Sequence, residues 1–319
     1  MSEFMRKRWE LLLLYFRRMR AIGLVGSGRT LLKPGSVAFH LKRVLLGQTR
    51  GMSNFYLPSM SRTDEIRFCH RLLGCSEAEV DDAFKELEQD RAFVDALAKQ
   101  YGRVRPDSPI PFSIGRFRVW YAIVRRFKPD VVVETGVHDG LSSTLILRAM
   151  ARNDRGRLIS IDLPSIDLPI GVDGPGWLVP DYLKSRWCLS IGDARQLLPV
   201  LAKRYAPIDI FIHDSDHTAE FQEFEYRTVK PLLSESGLLL TDDAIPEMFS
   251  DLAEAWGSTA FLVPGAASET GVVLGGIRFR HTASPVEVER YANGAEVKAE
   301  RIERNGRGPI FVPEDGSRS

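Results

Sequence analysis

The acids that could do chemistry in this chain follow short apolar runs. Residues 131–143 read Val-Val-Val-Glu-Thr-Gly-Val-His-Asp-Gly-Leu-Ser-Ser. An apolar run ends in Glu134, a turn containing Gly136 and Gly140 follows, and Ser142 and Ser143 open the apolar segment 144–150. A buried strand, a tight turn and a helix start bring a polar ligand close to backbone amides. The glycine spacing is G-x-x-x-G, not the dinucleotide fingerprint G-x-G-x-x-G, which weakens a nicotinamide or flavin reading. Asp162 closes the run 157–162, and Gly192-Asp193-Ala194 follows 187–191. His213-Asp214-Ser215-Asp216-His217 follows 208–212, and Asp242-Asp243 follows 238–241. A carboxylate offers paired acceptor oxygens, and a histidine near neutral pKa is a suitable base. Asp214, Asp216, Asp242 and Asp243 at one edge would repel one another unless neutralised, and a hard divalent cation is the simplest solution.

These turns need elements to position them. The runs at 131–134, 157–162, 187–191, 208–212 and 238–241 read as strands. Helical patterns at 194–205 and 218–233 lie between later strands, and 117–127 reads as the helix before the first. Unalternated apolar strands separated by helices predict a parallel sheet covered on both faces. Ligands in such sheets bind beyond the carboxyl ends of the strands. All the acidic turns lie at that edge, so they should converge on one cleft.

Glu134-Thr-Gly136, Asp162, Gly192-Asp193, Asp214-Ser-Asp216-His217 and Asp242-Asp243 together resemble a class I S-adenosylmethionine-dependent methyltransferase. The likeness is greatest to bacterial small-molecule and sugar O-methyltransferases that carry Asp-x-Asp-His after strand four, and it covers roughly residues 112–280. It implies an α/β fold: a Rossmann-like, doubly wound, mostly parallel sheet. Residues 259–263 and 271–279 would form its antiparallel edge hairpin. An N-terminal helical extension completes the expected architecture.

The resemblance also implies roles. Gly136 and Gly140 let the backbone approach the methionine end of the cofactor, Ser142 donates to its carboxylate, and His138 borders it or is an ordinary loop histidine. Glu134 either reaches the ammonium or caps the loop. Asp162 accepts the ribose hydroxyls, and Gly192, Asp193 and Ala194 flank the adenine. Asp214, Asp242 and Asp243 would ligate Mg²⁺; in metal-free members an acid at Asp214 touches cofactor or substrate instead. Asp216 and His217 are the candidate bases. Catechol-type relatives have lysine at the position of His217, so the chain departs from that pattern. Asp216 alternatively caps the helix starting near Thr218.

The chain has 319 residues, 44% apolar and 27% charged, with a net charge of +1. That composition suits a globular protein and gives no global case for nucleic acid. Three scattered cysteines make no disulfide framework or zinc spacing, so a reducing cytoplasm is expected. No apolar run reaches the ~18 residues of a membrane span. Residues 1–50 hold eleven Lys/Arg against Glu3 and Glu10. Residues 1–20 then suit either an interfacial helix on anionic lipid, peripheral to the membrane, or a helix packed on its own domain or a partner subunit of a homo-oligomer.

Residues 62–105 read as a helical module with a capping box at Ser76 and Glu79. The expected organisation is a basic segment and helical extension at 1–105, a methyltransferase domain at 106–281 and a polar tail at 282–319. The Pro/Gly-rich stretch 163–183 is long enough to be a functional lid carrying Trp177. The expectation is a cytoplasmic enzyme that methylates a hydroxyl of a small molecule, a sugar, glycoside or secondary metabolite, with Mg²⁺ assistance. The alternatives are a metal-independent methyltransferase using His217 or Asp216, and a non-catalytic module that kept the cofactor fold.

Overall fold

The structure is a computed structural model. It describes residues 60–106, 112–164, 168–169, 172–264 and 272–279, with further strand segments between 288 and 311. Residues 1–20, and with them the basic amphipathic segment, lie outside the described residues.

Three helices come first: α1 (Arg62–Leu73), α2 (Glu77–Gln89) and α3 (Arg91–Val104). Ser61 caps α1, and Gly74 in the left-handed region ends it. The capping box at Ser76 and Glu79 starts α2. A short 3-10 helix, Gly115–Phe117, leads into α4 (Arg118–Phe127).

The core then alternates strand and helix. It runs β1 (Val131–Thr135), α5 (Leu141–Asn153), β2 (Arg157–Asp162), β3 (Trp187–Ile191), α6 (Ala194–Tyr205) and β4 (Ile208–His213). It continues through α7 (Ala219–Val229), β5 (Leu233–Asp242), α8 (Pro246–Ala255), β6 (Thr259–Pro264) and β7 (Val272–Arg278). The strand order is β3-β2-β1-β4-β5-β7-β6, parallel through β5 and antiparallel where β7 pairs with β5 and β6. The expected doubly wound sheet with an antiparallel edge is therefore present. From the C-terminal stretch, β8 (Val288–Ala292) adds to β6 in parallel.

Strand β5 begins five residues before the run that predicts it. Its first part, Leu233 to Glu235, pairs with β4 only at Ile208 before a register shift, and Glu235 is exposed, so no apolar run marks it.

Both faces of the sheet are buried. Val132, Ile210, Ile212, Leu238 and Leu240 point into a core shared with α1 to α5. Val133, Phe211 and Leu239, alternating with them, point into the core under α6, α7 and α8. The N-terminal helices share the first core through Phe68, Leu72, Phe84 and Leu97.

A buried carboxylate in this helical layer meets a partly exposed arginine. Glu65 of α1 is 2% exposed and accepts from Arg118 of α4. Burial pushes its carboxyl up from 4.5 to about 7, against the pull of Arg118. The folded state therefore binds an extra proton between those values, and the stability from this group is lost as pH rises from 4.5 through 7. Urea denaturation of wild type and Glu65→Gln should show their difference changing by about 3 kcal/mol across that window. A pH-independent difference would refute this account of Glu65.

Candidate active site

The strand order turns between β1 and β4, where a parallel sheet opens a crevice at its carboxyl edge. The chain draws that edge tight. The Asp214 amide donates to the Thr135 carbonyl (2.8 Å), and the Gly136 amide donates to Ile161 (2.9 Å). A β-carbon on Gly136 would lie 1.8 Å from the Asp214 carbonyl oxygen, and its φ is +85°. Only glycine fits there.

Glu134, at the end of β1, is fully buried. It accepts from Ser142 Oγ and Ser143 Oγ (2.6 Å each) and Ser160 Oγ (2.8 Å). Burial pushes its pKa up and the three hydroxyls oppose this. It thus ties β1 to the start of α5 and to β2. The Ser142 hydroxyl is directed at Glu134, which leaves backbone amides as the helix start's donors toward a ligand.

The next turn is held by Asp162. Its Oδ2 accepts from the amides of Val137 (3.2 Å) and His138 (2.7 Å), and its Oδ1 from Leu163 (2.7 Å). Burial pushes its pKa up, and these amides counteract it. With two lone pairs per carboxylate oxygen, Oδ2 is filled by its two amides and Oδ1 keeps room for one further donor. His138 has φ +49°, and its Nδ1 lies 3.5 Å from Asp139. The Gly192 amide donates to the Asp162 carbonyl (2.8 Å), and Asp193 caps α6 by accepting from the Arg195 amide (2.9 Å) just before Ala194.

Asp139, which the sequence did not single out, fastens the loop above. It is 3% exposed and accepts from Trp177 Nε1 (2.7 Å), Arg105 Nε (3.1 Å) and Arg105 Nη2 (2.8 Å). Gly140, at φ +90°, faces Gly176, whose Cα would lie 2.6 Å from an added β-carbon. Gln100 donates to the Trp177 carbonyl (2.6 Å) and Tyr101 stacks on its ring. The Trp177 segment expected as a lid is therefore pinned over the glycine turn by α3 and the residue just beyond it.

The acidic end of the cleft is built from β4, β5 and the turn before α7. Asp214, His217 and Asp242 each present one ligand atom, all within 4.8 Å of one another. The predicted trio of Asp214, Asp242 and Asp243 is thus not the one that groups: His217 joins the first two. Asp243 has φ +46°, and its carbonyl accepts from Gln222 (2.9 Å). Asp216 accepts from the Thr218 amide (3.1 Å), two residues ahead of the α7 N-cap rather than as the cap itself, which is Thr218. His217 Nε2 lies 4.0 Å from Asp214 Oδ1. Burial, with His213 beside it, pushes the His217 pKa down, which favours a neutral imidazole. Burial and then Asp242 push Asp214 well above the usual carboxylate range.

Two further partners, both at the acidic end, were missed from sequence. Arg116 donates through Nη2 to Asp242 Oδ2, with side-chain exposures of 11% and 2%. Glu225 of α7 is fully buried and accepts from His213 Nδ1 (2.6 Å), Thr135 Oγ1 (2.7 Å) and Ser215 Oγ (3.2 Å). Neither carries a local signal, since each meets its partners from another element.

Comparison with known proteins agrees with this layout. Residues 133–244 match the family model described as a methyltransferase domain. No curated protein matches the chain. Among solved structures, a putative O-methyltransferase from Klebsiella pneumoniae is similar at 14% identity and TM-score 0.43, over 60% of this chain and 90% of that one. The O-methyltransferase TomG from Streptomyces achromogenes, solved with SAM, is similar at 17% identity and TM-score 0.43, over 59% and 90%. A methyltransferase from Geobacter sulfurreducens is similar at 23% identity and TM-score 0.42, over 59% and 90%.

The tightest test of the cleft is Gly136→Ala. The added methyl must displace Asp214 or the turn, so the variant should lose stability by more than about 1 kcal/mol in thermal or urea unfolding. Unchanged stability would show that the approach is looser than described. Residues 133–244, which carry the crevice, thus match a methyltransferase domain and lie in a doubly wound, mostly parallel sheet.

Proposed function

We propose that the chain transfers a methyl group from S-adenosylmethionine to a hydroxyl of a small molecule, a sugar, glycoside or secondary metabolite. The observation that carries this reading is His217, an imidazole biased toward its neutral form, set beside Asp214 at the crevice mouth. In the proposed reaction the acceptor oxygen attacks the sulfonium methyl in line. The carbon–sulfur bond breaks, its electron pair stays on sulfur as the thioether of S-adenosylhomocysteine, and the hydroxyl proton passes to His217. Positioning supplies much of the rate in such a displacement, and a placed base contributes about 10²- to 10⁴-fold. Asp216, with one oxygen already on the Thr218 amide, is the alternative base.

On this reading the cofactor's amino acid end meets Gly136, His138, Gly140 and the amides at the start of α5. Its ribose meets Asp162, and its adenine lies beside Gly192, Asp193 and Ala194. Asp214 closes the pocket toward the transferred methyl.

The acidic trio also fits a divalent cation. Asp242 Oδ1 and His217 Nδ1 are both buried without a hydrogen-bond partner, and two carboxylates with an imidazole are ordinary ligands. Asp214, Asp242 and His217 would hold it, and Asp216 rather than His217 would then take the proton. A bound cation would lower the pKa of the acceptor hydroxyl and orient it. One observation favours the metal-independent alternative: Arg116 already supplies a positive charge to Asp242.

Calorimetric titration of S-adenosylhomocysteine, with Mg²⁺ and again with EDTA, tests the cofactor. Micromolar binding is expected, weakened about 10-fold or more in Asp162→Ala through loss of hydrogen bonds to a charged group. Silence under both conditions would remove the methyltransferase reading. Methyl transfer to a panel of hydroxylated acceptors, abolished by EDTA, would make the cation part of the mechanism.

A further inference from the structure

Arg116 stands on the 3-10 helix before α4, outside the strand-end turns that form the rest of the site. Its guanidinium lies 5.4 Å from the centre of the Phe117 ring and reaches Asp242 through Nη2 alone. A guanidinium is a planar fork suited to two parallel bonds with a carboxylate. Here one arm is used. Arg116 Nε and Asp242 Oδ1 are left buried without hydrogen-bond partners, as is His217 Nδ1. The arginine neutralises Asp242 without satisfying the site.

The trio of Asp214, His217 and Asp242 is compact enough for one ion. An ion coordinated there would share Asp242 with a guanidinium that is itself largely buried. Two cations so close in a poorly screened setting repel strongly. Asp242 keeps Oδ1 free, so the competition is electrostatic: with Arg116 in place, an ion on Oδ1 is bound against its charge.

We propose that Arg116 is the resident cation of this cluster and opposes divalent metal there: an ion binds Asp214, His217 and Asp242 more tightly where Arg116 is withdrawn. The inference rests on the methyltransferase reading for its catalytic meaning. It makes the 3-10 helix before α4 the element that sets whether the site works with or without metal.

The test is Mn²⁺ binding to the full chain, read by electron paramagnetic resonance of the free ion and by calorimetry. Wild type is compared with Arg116→Gln and Arg116→Met, the second keeping the apolar stem over Phe117. Both variants should bind Mn²⁺ roughly 10-fold or more tighter than wild type, within the usual range of couplings between ligands. Asp242→Asn added to Arg116→Gln should erase that gain. Equal affinity in wild type and both variants overturns the proposal, as does absence of binding in all three. Should a variant fail to fold, it is refolded with and without Mn²⁺. Recovery only with Mn²⁺ supports the exchange, because a ligand of the native state stabilises it, and no recovery in either variant overturns it. S-adenosylhomocysteine titration of the same wild-type sample is read separately. Its failure removes the methyltransferase reading and leaves the Mn²⁺ comparison standing.

Discussion

The turn after β1 lies almost on top of the end of β4, and the carboxyl edge depends on that approach. Gly136 has no side chain to hold the two apart, and its positive φ directs the chain across the Asp214 carbonyl. The backbone bonds from Asp214 to Thr135 and from Gly136 to Ile161 then lock three strand ends together. Asp214 and Glu134 owe their places to this closure, because each stands at the end of one of those strands or in the residue after it. A wider gap would move the acids of β4 and β5 away from the glycine turn.

Gathering many carboxylates at one dry edge is costly unless each finds compensation. The fold provides a different kind for each. Glu134 takes three hydroxyls, Asp162 three backbone amides, and Asp193 and Asp216 take amides at the starts of helices. Asp139 and Asp242 take guanidinium groups. Asp214 differs, facing Asp242 and a neutral-leaning His217, and burial drives its pKa up. The group with the least local compensation stands where the proposed chemistry happens, as is common for functional sites.

Much of this was legible in the sequence because it is local. Apolar runs ending in acids marked the strand ends, and the expected strands 157–162 and 187–191 coincide with β2 and β3. The acids and glycines of the cleft were legible for the same reason. What was not legible is long-range or geometric. Arg105 and Asp139 are 34 residues apart and Arg116 and Asp242 are 126 apart, and no periodicity links such pairs. The exchange of Asp243 for His217 in the acidic trio is geometric. Asp243 lies just past the end of β5, with φ +46°. An Asp-Asp pair in sequence therefore offers one ligand to the trio in space.

The two guanidinium partners share a further property. Arg105 and Arg116 both precede residue 133, where the match to the methyltransferase family begins. The matched segment thus draws two of its counter-charges from outside itself. Excised on its own, it would keep Asp139 and Asp242 but lose the charges that make their burial tolerable, and stranding a buried ion costs about 3–5 kcal/mol. The helical prefix is in this sense part of the electrostatic interior of the segment that matches the family.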